Sequence, residues 1–426
     1  MSNGGRFPYI PLEMSDRVSL PPAEIPGQIV LAELPMHQAL LVFDVLRAVL
    51  LVVQKNRMTP LYSTPVLDAW EEQLLKSKHP DDLRFPLGVL IGSIRDRDDA
   101  ARPLMAKACL ALADWASEQE APGTTLLWFE AAALCFPENG RYALIAGRAY
   151  RSAGRLSDAE RWLKRAARLT YWRSDWGAHA FAICTLGMVC WTQGSVSKAI
   201  QYLHRSQRIA RRHGERVLEG EIFHNLLAIA ISAGDTVRVE EYAREAFERY
   251  LPAHNRLPAL AYDLAYFWMI RGHTHRSLKV FEQLLPHFPE PAQRIQVLAA
   301  LARGAGKAND SVLFASAWGQ AVQLTKKLHS TVTLPHALLD LGLGAAHFGM
   351  YKEAAEVFRE ALRLGENRGQ GSVVILADKY LSAVSEAHNP DAAGKPQGLT
   401  TKQRGPEQLA ESMAALLRTT GSFAGE

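Results

Sequence analysis

The chain has 426 residues, 48% of them hydrophobic and 22% charged, a balance that excludes a globally disordered protein. Its four cysteines, Cys109, Cys135, Cys184 and Cys190, contain no C-x-x-C pair and exclude a disulfide scaffold. The net charge of +4 is unevenly spread: residues 141–213 carry 14 Lys and Arg against 3 Asp and Glu, whereas residues 1–140 stand at −6, an asymmetry that speaks to partners rather than to fold.

Met1 to Pro26 has no apolar core behind a basic head, so no secretory leader is expected. Six prolines in residues 1–35 (Pro8, Pro11, Pro21, Pro22, Pro26 and Pro35) predict an extended arm. Residues 36–56 then predict an apolar helix with Leu40, Leu41, Phe43, Leu46, Leu50 and Val53 along it. Its most apolar run, Ala39 to Val53, falls short of the roughly 18 residues of a membrane span and is interrupted by Asp44 and Arg47. No span is expected, and a soluble, cytoplasmic protein is. Thr64-Pro65 opens a second helix with Trp70, Leu74 and Leu75 on its buried face, and Asp81 to Arg95 predicts a third. Residues 36–100 thus read as an N-terminal helical region.

From residue 101 to 387 the chain is periodic. Turn residues Gly154, Gly194, Gly234, Gly272, Asn309 and Gly349 are spaced 40, 40, 38, 37 and 40 residues apart. Seven residues before each stands Gly147, Gly187, Leu227, Ala265, Ala302 or Gly342. After the turns, second helices carry small–large–small sets such as Ala159/Leu163/Ala166, Ala199/Leu203/Ser206 and Ala354/Phe358/Ala361. A period of this length built from helical spacing predicts an all-α solenoid, about seven antiparallel hairpins each burying its apolar face against the next. Gly or Asn at the turn supplies the left-handed backbone that ends each first helix. Val373 to Ala387 predicts a capping helix. Residues 388–406, rich in Gly, Pro, Lys and Gln, predict a flexible linker. A short helix, Glu407 to Leu417, and a tail close the chain within residues 407–426.

This pattern resembles the tetratricopeptide repeat (TPR) superfamily, whose signature runs large–Gly–x–x–aromatic, then Ala, large and Ala. Ala146-Gly147-Arg148-Ala149-Tyr150 with Ala159, Leu163 and Ala166 matches it, as do Leu341-Gly342 with Ala354, Phe358 and Ala361. A degenerate unit with Trp115, Trp128 and Ala131, closed by Pro137, precedes them. The unit after Ala302 departs most, with Phe314 where a small residue belongs. Typical family units have 34 residues; the longer units here resemble variants found in bacterial regulators and signalling proteins. The resemblance implies a right-handed superhelix whose first helices line an inner groove.

In that register the groove is lined by Arg141, Arg148 and Arg151 in the first clear unit and Trp191 in the next. His224 and Asn225 follow, then Tyr262, Asp263, Tyr266 and Met269. Clustered Arg with aromatics suits an acidic peptide or protein segment, because the guanidinium fork pairs bidentately with carboxylate. A second basic set, Arg205, Arg208, Arg211 and Arg212, falls on a second helix; the acidic stretches on both sides and the lack of a recognised module disfavour nucleic acid. Tyr171, Trp172 and Trp176 read as packing between units.

Catalytic and cofactor signals fail one by one. Arg303-Gly304-Ala305-Gly306-Lys307 is half a phosphate loop, without its first glycine or its Ser/Thr, and falls in the turn region of a repeat. Gly342-x-Gly344 sits at a packing position with no strand before it. His273-x-His275 reads as two solvated histidines rather than a metal pair. Cys184 and Cys190 read as packing residues. No catalytic set, metal site or cofactor is expected. The reading is a non-enzymatic scaffold or adaptor that binds another protein, with a ligand-responsive regulator as the alternative and a homo-oligomer left open.

Overall fold

The computed structural model describes residues 26–54, 62–76, 79–96, 101–251, 255–326, 328, 333–367, 370–391 and 404–421. Among them there are twenty α-helices, one short 3-10 turn (Leu285–His287) and no strand. The helices pack as repeated antiparallel pairs, a TPR-like all-α fold. The chain forms two compact units, Met1–Tyr202 and Leu203–Glu426.

In the first unit, α1 (Pro26–Glu33), α2 (Met36–Gln54), α3 (Thr64–Lys76) and α4 (Asp81–Asp96) share a core with the pair α5 (Arg102–Glu118) and α6 (Pro122–Cys135). Leu41, Val45, Leu46 and Val49 of α2 meet Leu83, Leu87 and Leu90 of α4, and Trp115 and Trp128 from the pair belong to the same core. The predicted extended arm is corrected here: residues 26–33 are helical, with Pro26 at the first position, where its missing N–H costs nothing. Residues 1–25 lie outside the described residues. Leu75, expected on a buried face, is exposed, while Trp70 and Leu74 are buried. Helix α2 begins a turn before its most apolar run, so the window Met36–Val53 is long and apolar enough to cross a membrane by length and composition. Its buried side chains belong to the unit's core.

The pair α7 (Gly140–Ser152) with α8 (Leu156–Trp172) follows, then α9 (Trp176–Thr192), which packs on α8, and α10 (Val196–Arg212); the unit boundary falls within α10. The second unit contains α11 (Arg216–Ala233) with α12 (Thr236–Tyr250), α13 (Leu257–Ile270) with α14 (Thr274–Leu284), α15 (Pro291–Ala308) with α16 (Ser311–Thr325), and α17 (Leu334–His347) with α18 (Tyr351–Asn367). Then come α19 (Gly371–Ser385) and α20 (Arg404–Gly421).

The turn chemistry is that read from the sequence. Gly154, Gly194, Gly234, Gly272 and Gly349 take φ between +70° and +85°, and Asn309 takes +56°. The residue after two of these turns caps the next helix: Asp235 accepts from Arg238 N at 3.1 Å and Asp310 from Leu313 N at 3.0 Å. Small residues before the turns allow close packing. A Cβ on Gly147 would lie 2.7 Å from Leu163 Cγ, and one on Gly344 would lie 2.7 Å from the backbone of Ala302. Phe314, the residue that breaks the pattern, is buried against Phe348 at a ring-centroid distance of 4.7 Å, so α17's turn absorbs the extra volume.

Helix α20 is longer than the predicted Glu407–Leu417 segment and lies against α12 and α14. Leu409, Met413 and Leu417 are buried there, and Glu407 pairs with Arg276 at 3.2 Å. The predicted linker is corrected at both ends: Arg404 to Pro406 belong to α20, and Asn389 and Asp391 are held by side-chain bonds described below. Residues 392–403 lie outside the described residues.

Candidate functional site

In the first unit, α7 and α9 lie side by side as first helices of consecutive pairs. Arg148 projects from α7 as an exposed side chain, its guanidinium 4.9 Å over the Phe181 ring of α9. Arg141 is no unpaired cation. It closes bidentately on Asp175, the N-cap of α9, with Nε–Oδ2 at 2.6 Å and Nη2–Oδ1 at 3.2 Å. That guanidinium holds the Asp175 carboxyl below the usual carboxylate range. Arg151 and Trp191 are half-buried. The three acids of the basic stretch are all engaged: Asp158 with Arg155 and Arg161, Glu160 with Lys164, Asp175 with Arg141. The excess of cations therefore stays uncompensated from within the stretch. The Tyr171 ring lies against Trp176 and His179, but Tyr171 and Trp172 are both exposed rather than packed away between units.

In the second unit the first helices α11, α13, α15 and α17 are successive neighbours, and polar side chains bridge them. His224 of α11 meets Asp263 of α13 with Nε2–Oδ2 at 2.8 Å. Tyr262 stacks on Tyr266, centroids 6.0 Å apart, and the edge of its ring meets Phe281. Two expectations fail here. Met269 is fully buried and lines no open surface, because its place on α13 faces the packed core; Gly304 of α15 lies beside its sulfur. His224 is buried as well, with Nε2 on Asp263. Asn225 is half-buried.

A polar cluster of this unit is built on Arg303 and Lys307, the ends of the phosphate-loop-like run. Arg303, 8% exposed, donates from Nη1 to Asp340 Oδ1 at 2.7 Å and to the Tyr266 hydroxyl at 3.1 Å. Tyr266 in turn donates to Asp340 Oδ1 at 2.9 Å. The other edge of the guanidinium closes on Asp391, with Nε–Oδ2 and Nη2–Oδ1 both at 2.9 Å. Lys307 Nζ lies 3.0 Å and His347 Nε2 3.4 Å from the same Oδ2. Asn389 fixes the imidazole: its carboxamide oxygen accepts from Asp391 N at 2.9 Å, so its NH2 faces His347 Nδ1 at 2.9 Å. Nδ1 then accepts, and the ring proton sits on Nε2, aimed at Asp391.

Burial pushes the Asp391 carboxyl up, but hydrogen bonds from His347 and Arg303 and the charges of Arg303 and Lys307 outweigh it and hold it well below the usual range. Burial raises the Asp340 carboxyl against the pull of Arg303 and Tyr266. Burial and the Asp340 charge raise the Tyr266 phenol, which stays a donor. The cluster sets the side chains of Arg303 and Lys307 against the carboxylates of Asp340 and Asp391, two basic groups against two acidic ones. Remove Asp391 and one cation is left over.

The sequence GAGK of this region is helical, not a turn: Arg303 to Lys307 lie inside α15. Its glycines serve packing. A Cβ on Gly306 would lie 2.8 Å from His347 Cβ and 3.0 Å from Gly344 O, so both glycines let α15 and α17 approach until Arg303 reaches Asp340. A signal for this site was in the register. Arg148, Tyr266 and Arg303 each stand six residues before their turn residue, and Asn225, Asp263 and Asp340 each stand nine before theirs.

On the second basic set, Arg211 pairs with Glu219 at 2.8 Å, which also takes Arg249 at 3.1 Å, so part of that charge is neutralised within the fold. A cleft of about 820 Å³ between α16, α17 and α18 is lined by Trp318, Val322 and Leu338 and rimmed by Glu353 and Glu356, the wrong sign for an acidic ligand. Among the described residues no group of three His, Cys, Asp or Glu is placed to hold a metal ion; His273 and His275 lie at the start of α14.

No family model matches the sequence, and no curated protein does. Among solved structures the chain is similar to a Rap protein complexed with competence and sporulation factor, at 10% identity over 85% of this chain and 98% of that one, TM-score 0.45. It is similar to a signal-transduction ATPase with a tetratricopeptide repeat sensor from Pyrococcus horikoshii, at 12% identity over 93% of this chain and 57% of that one, TM-score 0.48. It is also similar to aspartyl phosphate phosphatase F from Bacillus subtilis, at 10% identity over 83% and 94%, TM-score 0.43. These likenesses stand beside an all-α helical-repeat fold that the chain's own helix pairs establish.

Proposed function

We infer that the protein is a non-enzymatic binding module whose first helices hold an acidic peptide segment of another protein. The observation that carries this reading is the grip on Asp391: a wall of consecutive first helices closes an Arg fork, a Lys and a His on one carboxylate. Bidentate Arg pairing in a half-dry wall is both directional and strong relative to a surface ion pair. Arg148 over Phe181 supports it in the first unit, where an exposed guanidinium stacked on an aromatic ring pre-forms a second anchor of the same sign.

The reading is tested on an array of acidic and neutral decapeptides matched in length. The chain should retain acidic members selectively, and Arg148→Glu should weaken that retention at least fivefold with unchanged helicity, because the side chain is exposed. Indifference of the array to peptide charge, or equal retention by the variant, would refute it. Retention should also fall with salt across the range in which the Debye length drops from ~10 Å to ~3 Å.

A ligand-responsive regulator is the second reading, and one observation favours it. The carboxylate in the wall belongs to the stretch between α19 and α20, so exchanging it for a partner's would release a piece of this chain in the same step. Scattering profiles at saturation with a retained peptide should then differ from those of the free chain; identical profiles would leave the scaffold alone.

A further inference from the structure

We propose that Arg303, Lys307 and His347 form a carboxylate-binding pocket that the chain fills with its own Asp391, an internal occupant that an acidic peptide side chain displaces. The proposal deepens the reading above and rests on it for the identity of the external ligand. Three observations lead to it. Asp391 is not part of a helix; it follows α19, and its own backbone N–H is turned back onto Asn389. Its carboxylate nevertheless takes every donor the pocket offers at once: the Nε–Nη2 edge of the Arg303 fork, Lys307 and the Nε2 proton of His347. Finally, the rest of the cluster stands without it. Arg303 keeps Asp340 and the Tyr266 hydroxyl through Nη1, and Tyr266 keeps Asp340.

That division of labour separates a framework from an occupant. Asp340 and Tyr266 orient the guanidinium from the packed helices α17 and α13, while the second edge of the fork meets a side chain that lies outside any helix. A pocket with Nε and Nη2 in parallel, a lysine beside them and an imidazole whose tautomer is set by Asn389 is matched to a planar, singly charged carboxylate. Asp391 lies six positions after the end of α19, so its effective concentration at the pocket is on the order of millimolar, and an external carboxylate competes against that figure.

The test uses the full chain and a synthetic peptide of residues 386–394, Glu-Ala-His-Asn-Pro-Asp-Ala-Ala-Gly, titrated calorimetrically. Asp391→Ala should bind this peptide at least tenfold more tightly than the unaltered chain does. The same peptide with Asn in place of its Asp should lose at least tenfold on Asp391→Ala, and adding Lys307→Ala should lose about fivefold. Inorganic phosphate at 10 mM should compete less than twofold, which separates a peptide carboxylate from a free anion. Absent binding to Asp391→Ala, equal binding by the two chains, equal binding of the Asp and Asn peptides, or full displacement by phosphate overturns the proposal. Circular dichroism of Asp391→Ala and of the isosteric Asp391→Asn accompanies the titration, and unfolding of both would make Asp391 a structural plug and overturn it as well. A chain that takes its tail peptide after Asp391→Ala yet ignores the acidic array leaves the pocket standing and removes the partner reading alone.

Discussion

At the scale of single residues, glycines divide by what surrounds them. Gly344 faces the backbone of Ala302, which cannot give way, so Gly344→Ala should cost about 1–3 kcal/mol by overpacking. Gly319 lies within α16 with nothing near its missing Cβ, and Gly319→Ala should instead stabilise by ~0.5–1 kcal/mol through helix propensity. Chemical denaturation of the two variants checks both signs. A destabilised Gly319→Ala would mean that α16 meets a surface not evident in its packing. Asp340 is a stronger case. Replacing it with Ala leaves Arg303 Nη1 with the neutral Tyr266 hydroxyl in place of a carboxylate in a buried setting, a loss of ~3–5 kcal/mol where one partner of a buried pair is removed.

At the scale of elements, the first and last described helices, α1 and α20, are docked by different means. Glu33, on the helix that replaces the predicted arm, accepts from Gly123 N at 2.8 Å and from Thr124 N at 2.7 Å, capping α6 from 90 residues away. A carboxylate at a helix N-terminus satisfies orphan N–H groups and meets the favourable end of the helix dipole. Glu33→Ala should therefore cost ~1–2 kcal/mol, a cap's worth, and speed hydrogen exchange in the first turn of α6. Helix α20 depends instead on an apolar stripe, with Met413 fully buried. Met413→Asp should raise exchange throughout 404–421 while α15 and α17 keep their protection. Equal loss in all three would make α20 an integral part of that core.

At the scale of the whole molecule, the charge cluster of the second unit predicts how stability follows pH. The folded carboxyl of Asp391 lies below its unfolded value, so its contribution is fully present above the unfolded pKa of about 3.9 and is lost as pH falls through the folded value. The groups around it are Arg303, Lys307, His347 and Asp340, with the Tyr380 phenol near all of these acids. The difference in denaturation midpoint between the unaltered chain and Asp391→Asn should be present at pH 5 and shrink as pH falls below 4. A difference that grows as pH falls from 4 to 2 would contradict the pairing.

The repeat period, the left-handed turns and the small residues that let helices close on each other were all legible as sequence, because each depends on steric facts local to one or two hairpins. Gly147, Gly342 and Asn309 needed no partner to be understood. The helix at 26–33 is not legible in a proline-rich stretch because it docks on α6, through Glu33 on Gly123 and Thr124 some 90 residues along the chain. The pocket is hidden for a similar reason. Arg303 looked like a fragment of a phosphate loop, and its meaning depends on Asp340 and Asp391, 37 and 88 residues away. Periodicity fixes which face a side chain takes; only the closure of α15 on α17, through Gly306 and Gly344, decides which charge it meets there.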